Sequence, residues 1–241
     1  PSVDWQLPVA AEAALAHHQQ GIHLAAVSEV CLVNFPDEIR QMVTVIENGV
    51  DPARVAATRP RWEVRREIGL DESHRIALFV GRIHNEQKNP QLLIDAVDLL
   101  GHEWRAVLLG PIFDRPKFSS KSIHLCPDWN VANILNAADM LVHPARHESH
   151  GLAINEAWLA RRPVVSCDYP VNCLFNLKHG EMMKLVPVDA SPLDLATAMR
   201  EVDFGSMTTQ ERTARAHRVA SRSYTAHKMG CRWSDFLAGL F

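Results

Sequence analysis

Residues 143–163 read HPARHESHGLAINEAWLARRP and join the end of a strand-like apolar run to the beginning of a helix. Leu141 and Val142 close the apolar run, and residues 151–159 can wind as a helix. Glu148 and Glu156 stand on either side of the point where that helix would begin. The unpaired backbone N–H groups and positive dipole end of a helix start attract anions. This stretch therefore predicts a strand–turn–helix unit that can bind an anion.

Strands and helices alternate on both sides of this unit. Apolar runs predict strands at 23–27, 43–46, 75–80, 105–109, 122–125, 140–143, 163–167 and 183–186. Helices are predicted at 9–20, 89–100, 129–137 and 151–159, then near Ser191, near Thr208 and at 227–240. We expect Asp128 to cap the helix at 129–137, and Thr208 and Glu211 to form a capping box. The alternation indicates a doubly wound, Rossmann-like α/β fold with a parallel sheet.

Such a sheet would bring several loops to one place. Ligands of open parallel sheets bind beyond the carboxyl ends of the strands. We therefore expect the loops after Val80, Leu109, Leu125 and Cys167 to meet the turn before Gly151 at one rim.

The composition limits the class of protein. The chain has 241 residues, 47% hydrophobic and 22% charged, which is ordinary for a soluble globular protein. A net charge of -3 gives no reason to expect nucleic acid, and no apolar run reaches the roughly 20 residues of a membrane span. Five cysteines without C-x-x-C spacing argue against a disulfide framework and favour the cytoplasm. The arginine-rich segment 212–232 indicates a solvated helix face, with a peripheral membrane contact as the alternative.

Four stretches resemble the donor-binding half of the retaining glycosyltransferases of family four (group 1), which have the GT-B fold. They are VIENGVD at 45–51, FVGRIHNEQKNPQLLIDA at 79–96, NAADMLVHPARHESHGLAINEAW at 136–158 and RPVVSCD at 162–168. Their order and separations fit the family, and the resemblance covers roughly residues 23–203. It implies that the chain is the C-terminal half of a GT-B fold.

The resemblance also implies roles for individual residues. Arg82 and Lys88 match a basic pair that holds the donor diphosphate, and Glu148 matches a carboxylate beside the donor sugar. These three catalytic residues would act by positioning and charge stabilisation, so Glu148 would not be a catalytic base. The remaining nucleotide-sugar-binding residues are Glu156 for the ribose, the helix start Ser149, His150, Gly151 and Leu152 for the phosphates, and Pro127 and Trp129 for the base. Neither a metal nor a cofactor is implied.

The implied function is transfer of a sugar from a nucleoside-diphosphate sugar to an acceptor hydroxyl, with retention of anomeric configuration. An N-terminal domain, on the same or a separate chain, would bind the acceptor sugar, glycoconjugate or small molecule. Residues 1–44 would be the end of that N-terminal domain and a linker, and residues 45–222 would be the donor-binding domain. Residues 223–241 would form a helix that packs back towards the N-terminal domain. Because the chain begins with Pro1 rather than Met, we expect a processed or partial polypeptide.

Other functions and local readings stay open. A non-catalytic nucleotide-sugar-binding module and a nucleotide-sugar epimerase of the same architecture are the alternatives. The run HESH at 147–150 is one residue shorter than the metal-binding H-E-x-x-H, which disfavours a metal site. Taken alone, Glu156 could be a solvated helix carboxylate and Arg82 a strand-end salt bridge, and Trp129 fits a core as well as a base platform.

The sequence departs from the family after Cys167. Where the family usually has a Gly-Gly pair and a glutamate, residues 168–172 read DYPVN. Pro170 removes an N–H that could bind an anion. We therefore expect this loop to contact the donor sugar differently or not at all.

Overall fold

The computed structural model describes residue 16 and residues 19–33, 35–202 and 206–240. Its strands are β1 (Leu24–Ala26), β2 (Val43–Val45), β3 (Arg75–Val80), β4 (Trp104–Leu109), β5 (Ser122–Leu125), β6 (Met140–His143), β7 (Val164–Cys167) and β8 (Lys184–Val186). Its helices are α1 (Asp37–Arg40), α2 (Arg61–Glu67), α3 (Asn85–Lys88), α4 (Pro90–Asp98), α5 (Val131–Ala137), α6 (Leu152–Leu159), α7 (Pro170–His179), α8 (Pro192–Glu201), α9 (Met207–Ser223) and α10 (Ala226–Ala238). Short 3-10 helices occur at Glu29–Leu32 and Pro52–Val55. The helix predicted at 9–20 lies almost entirely outside the described residues.

In the described part of the chain, six parallel strands form the main sheet in the order β5-β4-β3-β6-β7-β8. Numbered within the sheet this is 3-2-1-4-5-6, the strand order of the doubly wound Rossmann fold. The predicted fold class is confirmed. β3 and β6 lie side by side, with Ala77 opposite Met140 and Leu78 opposite Leu141. Because the chain leaves these two strands towards opposite edges, a crevice opens at their carboxyl ends.

The centre of the sheet is buried on both faces. Ile76–Phe79 of β3 and all of β6 are buried, as expected of parallel strands covered by helices. α6 packs against α9 and buries Ile154, Ala157 and Trp158. This packing fixes the rotation of α6 and therefore the direction of each of its side chains.

Two helix starts differ from their predicted caps. Asn130 rather than Asp128 caps α5, accepting the N–H of Asn133 at 3.0 Å. Ser206 caps α9 by accepting the N–H of Thr209 at 3.2 Å, so Thr208 lies inside the helix and forms no capping box. In both places neighbouring residues offer similar capping chemistry, and packing selects one of them.

The segment expected to be a loop after Cys167 contains the start of α7. Tyr169 occupies the N-cap position and Pro170 the first helical position. A proline is well suited to that position, because its N–H would have no partner within the helix. The prediction of a loop at 168–172 is therefore wrong from Pro170 onwards.

The arginine-rich segment 212–232 lies on α9 and α10. Arg212 pairs with Glu181 at 2.7 Å and Arg232 with Glu47 at 3.4 Å, so part of its charge is engaged within the protein. None of the helices in the described ranges combines the length and apolar character that crossing a membrane requires.

Next to the small parallel sheet of β1 and β2, the turn after β2 crosses the junction of α9 and α10. The N–H of Val50 donates to the carbonyl of Tyr224, and the N–H of Ala226 donates to the carbonyl of Val50, both at 2.9 Å. Gly49 lies so close to this crossing that a Cβ atom would overlap the carbonyl of Thr225. The turn after β2 is thereby fixed to the junction of α9 and α10.

We expect Gly49→Ala to lower the free energy of unfolding by about 1–3 kcal/mol, because the added methyl group meets backbone that cannot move aside. Gly230→Ala is the matched control, since Gly230 lies in α10 with open space around it. The control should stabilise the protein by roughly 0.5–1 kcal/mol. Urea unfolding of the 241-residue chain measures both, and equal effects of the two changes would contradict the close approach at Gly49.

Candidate functional site

A cavity of about 550 Å³ lies at the carboxyl ends of β3, β4 and β5. Its wall includes bare backbone at Gly110, which has φ +147° and no room for a Cβ atom against the carbonyl of Gly81. The loops after the three strands, the 3-10 helix Pro52–Val55 and α6 supply side chains. Those with polar or aromatic groups are Arg54, Thr58, Arg82, Trp129, Asn130 and Glu156.

Glu156 is the buried carboxylate of this cavity, with 7% of its surface exposed. Burial raises its pKa, and the nearby Arg54 opposes that shift. The distance from Arg54 Nη2 to Glu156 Oε1 is 3.4 Å, and the Arg54 side chain is mostly exposed. The solvated cation of Arg54 therefore stabilises the charged form of Glu156 only in part. Hydroxyl groups that donate hydrogen bonds to this carboxylate would stabilise it further.

Arg82 lines the same cavity from the loop after β3. Its Nη2 donates to Gln87 Oε1 at 3.1 Å, and its guanidinium carbon lies 5.8 Å from the centre of the Phe113 ring. Among the described residues no carboxylate pairs with it. Arg82 can therefore offer N–H groups to an anion in the cavity.

A second cavity, of about 390 Å³, contains Glu148 and Ser149 from the loop after β6. The carboxylate of Glu148 forms a close ion pair with Nζ of Lys88, and both side chains are largely buried. Gln87 also lines this cavity. Arg82 of the first cavity donates to Gln87, so this hydrogen bond links the walls of the two cavities.

His143, at the end of β6, lies beneath Glu148. Its Nε2 is 3.7 Å from Glu148 Oε2, and its Nδ1 is 3.1 Å from the hydroxyl of Tyr169. Burial and, after it, the charge of Lys88 lower the pKa of His143 to about 4, although Glu148 acts in the opposite direction. His143 is therefore neutral at physiological pH, and Lys88 is the cation that balances Glu148.

The start of α6 offers backbone donors at the rim. Gly151 is its N-cap residue with φ +79°, and a Cβ there would lie 3.6 Å from Glu148 Cγ. No acceptor within the described ranges takes the N–H groups from Ser149 to Ala153. These donors and the helix dipole make the start of α6 suitable for a phosphate.

His150 is fixed beneath this helix start rather than exposed to a ligand. It is buried and its Nε2 accepts from Asn155 Nδ2 at 2.9 Å. Burial lowers the pKa of His150, whereas the carbonyls of Val27 and Asn48 raise it. Of the predicted residues here, His150 can serve a ligand with its backbone, and Leu152 has an exposed side chain.

The predicted site residues thus fall into two groups. Arg82, Glu156, Pro127 and Trp129 line the first cavity. Glu148 and Ser149 line the second, and Gly151 lies next to Glu148. Lys88 lines neither cavity and reaches the site through its ion pair with Glu148, so the two members of the predicted basic pair lie in different places.

Several residues at these cavities were not predicted. Arg54 reaches Glu156 from a 3-10 helix, Gln87 joins the two cavities, and Phe113 contacts Arg82. Tyr169 reaches His143 from the loop that departs from the family pattern. The sequence offers one signal for such residues, which is a polar or aromatic side chain close to the end of a predicted strand. Too many residues of the chain meet this description for it to select these four.

The three histidines at the end of β6 and in the loop after it do not converge. His143 and His150 are buried with separate partners, and His147 is exposed. Within the described ranges no group of three or more His, Cys, Asp or Glu side chains is arranged to hold a metal ion.

Residues 74–202 match the family model described as glycosyl transferases group 1. Among curated proteins, the D-inositol 3-phosphate glycosyltransferase of Mycolicibacterium gilvum is 28% identical over an alignment of 161 residues, and the match covers 56% of this chain and 36% of that protein. The protein of that name from Mycobacterium tuberculosis strain F11 is 29% identical over 161 residues, 33% of its length. The chain thus spans about a third of the length of these curated relatives.

Solved structures share the fold. Anabaena Alr3699/HepE in complex with UDP and glucose has a TM-score of 0.83 at 19% identity, covering 99% of this chain and 68% of that one. A glycosyltransferase from Rickettsia africae has a TM-score of 0.77 at 15% identity, with 92% and 64% covered. The C-terminal domain of the group 1 protein LpcC from Francisella tularensis has a TM-score of 0.59 at 18% identity, covering 74% of this chain and 100% of that domain.

The burial of Glu156 predicts a pH dependence of stability. Burial raises its pKa, so the folded chain binds the proton more tightly than the unfolded chain, whose carboxyl has a pKa of about 4.3. Stability attributable to this group is therefore lost as pH rises above about 4.3 and through the raised value. We expect Glu156→Gln to be more stable than the wild type at pH 7.5, with the difference shrinking towards pH 4. Urea unfolding at both values measures this. Glu211→Gln, at an exposed position of α9, is the control, and a less stable Glu156→Gln at pH 7.5 would contradict the prediction.

Proposed function

The chain belongs to the group 1 glycosyltransferases, and we propose that it transfers a sugar from a nucleoside-diphosphate sugar to an acceptor hydroxyl with retention of anomeric configuration. The observation that carries this proposal is the pair of cavities linked by the Arg82–Gln87 hydrogen bond. One combines a buried carboxylate, Glu156, with the cation Arg82 and the aromatic Trp129. The other places Glu148 beside Lys88 and the open start of α6.

The nucleoside would occupy the first cavity. Glu156 would accept hydrogen bonds from the ribose hydroxyls, which compensate a buried carboxylate without adding charge. The base would lie against Pro127 and Trp129. Arg82 would contact the diphosphate, together with the backbone N–H groups at the start of α6.

The second cavity would hold the transferred sugar beside Glu148. In the proposed reaction the bond from C1 of the sugar to the phosphate oxygen breaks, and its electron pair stays on the diphosphate. The acceptor oxygen forms the new bond to C1 on the same face and gives its proton to the leaving phosphate oxygen. Lys88, Arg82 and the helix start would stabilise the charge that the diphosphate gains.

Glu148 suits a positioning role better than that of a base. Its carboxylate is already paired with Lys88 and lies near a neutral His143. A carboxylate held in this way can accept hydrogen bonds from sugar hydroxyls and keep the ring in place. The proposed reaction uses no side-chain nucleophile and no metal, since Arg82 and the backbone N–H groups at the start of α6 would bind the diphosphate.

The relatives suggest the first substrates to test. UDP-glucose is the first donor to try, because the Anabaena neighbour was crystallised with it. D-inositol 3-phosphate is the first acceptor, since the mycobacterial relatives carry it in their names. The acceptor is proposed to bind partly to an N-terminal domain, on the same polypeptide or a separate one.

Calorimetric titration with UDP, GDP and dTDP tests the proposal. We expect binding of at least one of these nucleotides, and a loss of about 10- to 100-fold in affinity on Arg82→Ala, which removes a charge-assisted contact to phosphate. Arg115→Ala is the matched control, because Arg115 is also an exposed arginine. Its guanidinium lies over the ring of Phe118, and it lines neither of the two cavities. No binding of any of these nucleotides or their glucose conjugates by the wild type would disprove the proposed function. Binding without sugar transfer would favour the non-catalytic module.

A further inference from the structure

Phe113 is an aromatic residue with 62% of its surface exposed, and its ring lies beside the guanidinium of Arg82, which lines the first cavity. We propose that Phe113 is a positioning residue, whose ring holds the Arg82 guanidinium in the direction of the donor diphosphate. This inference rests on the proposed function, in which Arg82 contacts that diphosphate.

The backbone beneath Phe113 is fixed to the segment that carries Arg82. Ile112 forms a parallel bridge with Ile83, and the N–H of Phe113 donates to the carbonyl of Ile83 at 2.9 Å. The carboxylate of Asp114 accepts the N–H of Asn85 at 2.7 Å. The ring and the guanidinium therefore extend from two paired segments and keep their spacing.

Arg82 has two orienting contacts. Gln87 Oε1 accepts from Nη2 at 3.1 Å, and the face of the Phe113 ring lies 5.8 Å from the guanidinium carbon. A cation within about 6 Å of a ring centre is attracted by the quadrupole of the ring. Neither contact neutralises the charge, so the arginine remains available to an anion. A long, exposed arginine otherwise loses conformational entropy when it binds, and pre-orientation reduces that loss.

The exposure of Phe113 separates this role from a role in folding. A ring so exposed contributes little to the core, so shortening it should leave stability nearly unchanged. Phe118 is the contrasting case in the same loop. Its ring centre lies 5.9 Å from the guanidinium carbon of Arg115, an arginine that lines neither cavity, and Phe118 itself packs against the core.

The experiment is a double-mutant cycle on nucleotide affinity. It uses whichever of UDP, GDP and dTDP the wild type binds most tightly, with the corresponding nucleoside as the phosphate-free probe. We expect Phe113→Leu to weaken diphosphate binding about two- to fivefold, the range for an exposed cation–π contact. Nucleoside binding, followed by chemical-shift titration, should not change. Phe113→Tyr should restore diphosphate affinity, and Phe118→Leu should leave it unchanged.

The arginine background supplies the decisive comparison. In Arg82→Ala, adding Phe113→Leu should cause no further loss, because the ring would have no guanidinium to hold. An equal loss in both backgrounds, or an equal loss for the nucleoside, would overturn the proposal and assign the ring to direct contact with the nucleotide. If Phe113→Leu binds the diphosphate as tightly as the wild type does, this inference alone is overturned. If the wild type binds no nucleotide, the proposed function is overturned as well.

Discussion

The pairing of β3 with β6 is the constraint on which the rest of the site depends. These parallel strands lie next to each other, but the chain continues from β3 to one edge of the sheet and from β6 to the other. Their following loops must separate, and the space between them cannot be filled by a connecting helix. Arg82 and Lys88 enter this space from the loop after β3, and Glu148 and the start of α6 enter it from the loop after β6.

The charges in this space are arranged unevenly. Each buried carboxylate has one cation, since Lys88 pairs with Glu148 and Arg54 with Glu156. Such pairs rarely stabilise a fold, because removing two ions from water costs about as much as their attraction returns. The raised pKa of Glu156 shows that its exposed partner does not compensate burial. Arg82 has no carboxylate among the described residues, so its charge remains available to an anion.

The strands of the main sheet could be predicted because parallel strands that are buried on both faces have continuous apolar sequences. β3, β5 and β6 were predicted with the bounds that the structure has, and β4 within one residue. Helix starts were less predictable, since several residues near each start can cap it. Asn130 caps α5 while the side chain of Asn133 in the same helix accepts the N–H of Thr58 at 2.9 Å. That contact joins segments far apart in sequence, so no local pattern contains it.

The loop after β7 shows most clearly why part of the site could not be predicted. Its departure from the family pattern predicts a different contact with the donor sugar or none, and the structure shows a further contact of this loop, since Tyr169 is buried and reaches His143. Burial raises the pKa of Tyr169, so its hydroxyl keeps its proton and can donate it to Nδ1 of the neutral His143. The other ring nitrogen of His143, Nε2, lies 3.7 Å from Glu148 Oε2. This loop therefore holds His143 beside Glu148 through the hydrogen bond from Tyr169, which forms only in the folded chain.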